Sequence, residues 1–218
     1  EHFALLSVPE SWDAARLAAH TAFLRQQAEA GFVAMQAASF AALHHPWLVR
    51  REAASVAAGP NDAAGELHAH PPEGAVLGLY ARRSRQRGAW AAAGLEPLAE
   101  AFALSGRIDA EAIEAAYANA IEQRPNGIAA TRANTLADDP DWQAVGVRRL
   151  FILLRRLARR EGERYVFEPN DLTLRRSLEG SFEAQLRRLM QRGAFRGASA
   201  AESYRLTTAS GARADEEI

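Results

Sequence analysis

A chain of 218 residues, 48% hydrophobic and 24% charged, is long enough for one substantial core or a core with a smaller companion, and too apolar for a disordered tail. Its 26 basic residues, all arginine, stand against 27 acids for a net charge of -1, so any attraction to nucleic acid or an acidic surface must be local. The lack of cysteine and lysine excludes disulfides, thiolate nucleophiles, zinc-thiolate sites and Schiff-base chemistry.

Phe3 to Val8 is an apolar run closed by Pro9 and predicts a buried strand. Ser11 is the expected cap of a helix reaching about Gln36 and bent near Gly31, with Asp13 near its positive end. Ser39 to Val49 reads as one second strand, confined by Pro46 to an edge or a bulge. Arg51 to Gly65 thins into a protruding loop with a turn at Gly59-Pro-Asn-Asp62. Leu67 to His70 is a short strand stopped by Pro71-Pro72, and Gly74 to Arg87 a helix ended by Gly88, with Trp90 anchoring its exit. Leu95 to Leu104 is a short apolar segment. Asp109 to Gln123 reads as a helix ending before Pro125-Asn-Gly127, Ile128 to Arg132 as a strand, and Asp138 to Asp141 as an acidic turn that favours the next helix start.

That next helix, Val147 to Arg160, is two-sided. Val147, Leu150, Phe151, Leu154, Leu157 and Ala158 fall on a predicted inner side, and Arg148, Arg149, Arg155, Arg156, Arg159 and Arg160 on the other. A short strand ending at Phe167, the turn Glu168-Pro169-Asn170-Asp171 and a helix to Arg192 follow; Tyr204 to Thr207 would add a last strand before a polar tail, 209–218. The expected fold class is α/β, a small mixed sheet flanked by helices in one domain over 1–208, divisible at 136/137. No apolar run of about 18 residues predicts a membrane span, and the opening Glu1-His-Phe-Ala-Leu-Leu6 has no signal-peptide pattern. A first residue other than methionine points to a fragment.

Candidate chemistry is sparse. His44 and His45 are adjacent and on a strand would face opposite ways; His68 and His70 would share a face but lack a third ligand, so no metal site is assigned. Glu168 and Asp171 could form a carboxylate pair, but a helix cap from Asn170 or Asp171 and an arginine partner for Glu168 account for them better. Nucleophile-elbow, phosphate-loop, dinucleotide and His-Glu-x-x-His patterns are all missing. No catalytic residue and no cofactor is assigned. The arginine face, with Arg175, Arg176, Arg187, Arg188 and Arg192 beyond it, could meet phosphates, an acidic protein or only water.

The order of parts resembles the tail sheath family of contractile phages and phage-like injection systems. The likeness is carried by Phe40-Ala-Ala-Leu-His-His-Pro46-Trp47, Pro71-Pro72, Val76-Leu-Gly-Leu-Tyr80-Ala-Arg82, Arg87-Gly-Ala-Trp90, Glu96-Pro-Leu98, Thr131-Arg132, Thr135-Leu136 and Trp142. It continues in Val145-Gly-Val-Arg-Arg-Leu-Phe151, Phe167-Glu-Pro-Asn-Asp171 and Gly193-Ala-Phe-Arg-Gly197. His44-His45 stands where the family has aromatic residues.

The resemblance implies a structural, non-enzymatic subunit that stacks with its own kind in helical rings around an inner tube and contracts to drive it through an envelope. It implies baseplate or tail-terminator partners, no membrane partner, assembly in the bacterial cytoplasm and residence in a virion tail or released particle. It also implies terminal arms that complete neighbours' sheets, and tube contact by Arg148, Arg149, Arg155, Arg156, Arg159 and Arg160. The alternatives are a nucleic-acid-binding α/β module using the same face and, less favoured, a hydrolase.

Overall fold

The structure is a computed structural model describing residues 2–29, 34–51, 66–106 and 109–207. The predicted turn at 59–62 and the tail 209–218 lie outside the described residues. The chain divides into two compact units, Glu1–Phe151 and Ile152–Ile218.

Among its described residues the first unit holds seven strands in two sheets. One sheet has the order β1 (Ala4–Leu6), β2 (Ala41–His45), β6 (Asn119–Arg124), β7 (Gly127–Ala130), parallel across the first three and closed by an antiparallel hairpin. The other is antiparallel, with β3 (Trp47–Arg51) between β4 (Leu67–His70) and β5 (Ala103–Ser105). Side chains on a strand alternate between faces, so the larger sheet feeds two cores. Ala42 and Ile121 join Val76, Leu79 and Tyr80 of helix α2 (Glu73–Arg87) in one. Leu43 and Ala120 join Leu17 of α1 (Ala14–Glu29) and Ile113 of α3 (Ala110–Ala115) in the other. The expected mixed α/β architecture is present, as two sheets rather than one.

Pro46 is the reason. The predicted single strand from 39 to 49 is two strands on either side of it, joined through a cis His45–Pro46 peptide; a proline supplies no ladder N–H, and pairing changes sheet there. A 3-10 helix, Ala34–Phe40, precedes β2. Helix α1 is capped by Asp13 rather than Ser11: the Arg16 N–H donates to Asp13 Oδ1 at 2.8 Å. Helix α3 starts at the predicted Asp109 cap but stops at Ala115, because Tyr117 takes φ 58° and reverses the chain. Ala120 and Ile121 then enter the two cores as sheet residues, overriding the helical preference of an alanine-rich run. Helix α2 ends at Gly88 as expected, where φ is 110° and an added Cβ would strike the Trp90 ring. A short α4 (Pro140–Gln143), capped by Asp139, leads into α5 (Val145–Gly162), and the division between the units falls within α5.

In the second unit the predicted strand ending at Phe167 is a 3-10 turn, Glu163–Tyr165, and Phe167 is 98% exposed. Helix α6 (Leu172–Gln191) begins at Asp171, whose Oδ1 accepts from the Leu174 N–H at 2.8 Å. Asp171→Ala should lower the stability of this unit by about 1 kcal/mol, measured by thermal melting; an unchanged midpoint would show that the cap contributes nothing. The predicted strand 204–207 does not form. Instead α7 (Ala200–Ser203) folds back on Gly197, where an added Cβ would lie 2.8 Å from the Ser203 backbone nitrogen, and the Tyr204 hydroxyl donates to Glu183 Oε1 at 2.8 Å.

Candidate protein-interaction surface

Helix α5 follows a register different from the predicted wheel. Val145, Arg148, Leu150, Ile152 and Glu161 are its buried positions; Leu150 faces inward as predicted, whereas Val147 and Phe151, assigned to the same inner side, are 37% and 44% exposed. Arg148, predicted on the outer face, is 3% exposed, with its guanidinium carbon 3.8 Å from the Trp142 ring centre and 4.3 Å from that of Phe40. The two π-faces take the place of water around the cation. Arg149 is half-buried: its Nη2 donates to Ser84 Oγ at 2.6 Å and its guanidinium lies 5.0 Å from the Tyr80 ring centre. Burial lowers the Arg149 pKa and lifts the Tyr80 hydroxyl to about 12. Both arginines therefore serve the interior of the first unit.

The other four candidates, Arg155, Arg156, Arg159 and Arg160, are exposed and belong to the second unit. That unit is basic: over 152–218 it carries 13 arginines and 10 acids, a net of +3, while the whole chain carries -1. Between α5 and α6 lies a cleft of about 650 Å³ whose apolar lining includes Leu157, Ala184 and the buried Leu189. Its rim carries the exposed Arg160, Arg164, Arg188 and Arg192.

At the base Glu161 is 6% exposed and accepts hydrogen bonds from Ser181 Oγ at 2.7 Å, Arg164 Nη1 at 3.3 Å and Gln185 Nε2 at 3.4 Å. A buried carboxylate satisfied in this way fixes the helix pair and leaves the other rim cations their charge. Among the described residues none forms an ion pair with Arg160, Arg188 or Arg192. Glu161 and Arg164 were not singled out by the sequence reading; the one acid closing a run of four arginines was the available signal.

The motif residues have structural places. Pro46 separates β2 from β3, and Trp47 Nε1 donates to the Val8 carbonyl at 2.7 Å. Tyr80 sits in the first core, Arg82 and Arg83 pair with Glu96 at 3.4 and 3.1 Å, and Trp90 packs at Gly88. Asn170 Oδ1 accepts from Arg175 Nε at 3.0 Å, and Glu168 and Pro169 are exposed beside Phe167. His44 and His45 are fully buried, while His68 and His70 lie on β4 with His68 Nε2 3.5 Å from Glu66. Among the described residues no three potential ligands gather around a common point, and no helix is long and apolar enough to cross a membrane.

No protein-family model and no curated protein matches the sequence. Solved structures do. The PVC sheath complex of an extracellular contractile injection system, in its contracted state, superposes with TM-score 0.76 at 24% identity, covering 99% of this chain and 57% of that chain. The baseplate structure of the anti-feeding prophage, 6-fold symmetrised, gives 0.68 at 23% identity, covering 92% and 48%. The contracted helical sheath of the same prophage gives 0.64 at 24% identity, covering 91% and 57%. The chain thus has the fold found in contractile injection sheath and baseplate assemblies, and it spans about half the length of the chains it matches.

Proposed function

We propose that the chain is the core of a structural subunit of a contractile sheath, one that polymerises helically around an inner tube and shortens to drive it through a target envelope. The observation that carries this reading is the fold likeness to a contractile sheath subunit over 99% of the chain. The likeness to baseplate chains supports a baseplate neighbour as well. A scaffold of this kind needs complementary surfaces rather than a reactive centre, so no catalytic role is assigned.

Tube contact falls to the exposed cations Arg155, Arg156, Arg159 and Arg160, in the unit with the net positive charge. Charge complementarity of this sort fixes register and speeds encounter. Arg156→Glu with Arg159→Glu should weaken decoration of a candidate tube protein by about 10-fold at low ionic strength, and less at high salt where exposed charges are screened. Co-sedimentation and negative-stain microscopy read the result; undiminished decoration would remove these arginines from the tube interface. None of the structures compared above favours the nucleic-acid reading of the same face.

A further inference from the structure

The second unit carries two features that tube contact does not use. One is the turn after α5, where Val166 is 67%, Phe167 98% and Leu172 62% exposed. A phenylalanine so completely in water, flanked by two more apolar side chains, gains nothing for the fold, and such patches mark contact sites. The other is the cleft between α5 and α6, with its apolar lining and a rim of Arg160, Arg188 and Arg192.

The two are complementary in apolar character and charge. The turn offers an aromatic ring with carboxylates beside it at Glu168 and Asp171; the cleft offers an apolar lining and guanidinium groups. Within one copy Phe167 does not line the cleft. Phe167, in water at the start of α6, is not seated in its own cleft.

We infer that the Phe167 turn of one copy docks into the α5–α6 cleft of a second copy, the ring entering over Leu157 and Leu189 and Glu168 meeting Arg188 and Arg192. Turn and cleft are different patches, so the contact is head-to-tail and propagates into an open chain instead of closing as a symmetric dimer. This rests on the sheath reading, whose subunits must assemble helically, and adds to it a contact made by side chains of this unit alone.

The test uses the full chain in sedimentation velocity at low ionic strength. Wild type should form concentration-dependent species larger than a dimer. Phe167→Ser should weaken self-association about 30-fold, as expected for a hot-spot aromatic, and Arg188→Glu with Arg192→Glu should do the same. All these positions are exposed, so circular dichroism and melting should match wild type. The diagnostic arm is the mixture: the cleft of the Phe167→Ser chain is intact and the turn of the Arg188→Glu/Arg192→Glu chain is intact, so together they should form a dimer and stop there.

Self-association that survives both sets of changes, a wild type that stays monomeric, or a mixture that gives no dimer would overturn the docking. None of these results touches decoration of a tube by the wild-type chain, which is the separate test of the sheath reading.

Discussion

Lowering the pH from 7 to 4.5 should remove about 2–3 kcal/mol of stability from the first unit through His44 alone, at 1.36 kcal/mol per pKa unit. His44 is 1% exposed and its Nδ1 has no hydrogen-bond partner; burial lowers its pKa from 6.5 to about 4. The unfolded imidazole therefore takes up a proton between pH 6.5 and 4 while the folded one does not. Stability is full above 6.5, falls through that window and levels off below it. His45, with both ring nitrogens buried and unbonded, is lowered by burial too and adds to the loss in the same direction.

The register sets His44 opposite Asn119 and His45 opposite Ala120, so β6 brings no charge to meet an imidazolium. The measurement is denaturant unfolding of wild type and His44→Leu at several pH values. The Asp138 carboxylate, held below the usual range by the Tyr117 hydrogen bond and by Arg25, also weakens the fold in acid, so the difference between the two proteins is what counts. That difference should change by about 2–3 kcal/mol over the window; parallel profiles would mean that His44 charges without penalty.

Gly146→Ala should destabilise the same unit by about 2–3 kcal/mol, the cost of overpacking against groups that cannot turn aside. A Cβ at Gly146 would overlap the Trp90 carbonyl oxygen, lie 3.3 Å from that carbonyl carbon and 3.9 Å from the Ala92 nitrogen, all of them backbone atoms. Helix α5 approaches the segment after α2 at a residue without a side chain. Gly78 supplies the control: it lies inside α2 with nothing within 4 Å of an added Cβ, so Gly78→Ala should raise stability by about 0.5–1 kcal/mol. Opposite signs for two alanines in one unit are the expected thermal-melt result; equal effects would mean that propensity alone governs both sites.

Much of the fold was legible because local chemistry and the final structure agree. Pro71-Pro72 ahead of α2, Gly88 behind it, the Asp109 and Asp171 caps and the Pro-Asn-Gly turn between β6 and β7 each act within a few residues of themselves. Where the decision lay elsewhere in the chain, the sequence misled. Residues 119–123 are as acceptable to a helix as to a strand, and only pairing with β2 and β7 makes them part of β6.

The candidate surface divides in the same way. An amphipathic wheel shows which residues share a side of α5 but not what stands opposite. Two aromatic rings, Phe40 more than a hundred residues earlier and Trp142, turn Arg148 into an interior residue, and Ser84 with Tyr80 do the same for Arg149. Beyond residue 152 nothing comparable among the described residues reaches Arg159 or Arg160, and there the predicted exposed face holds.

Only Pro46 stands between β2 and β3, and these are inner strands of their respective sheets. With no loop there to act as slack, displacement of one sheet cannot be absorbed before it reaches the other. Tension entering through the edge strand β4 would run across one splice into the strands that carry α1 and α3, so the first unit would move as one link.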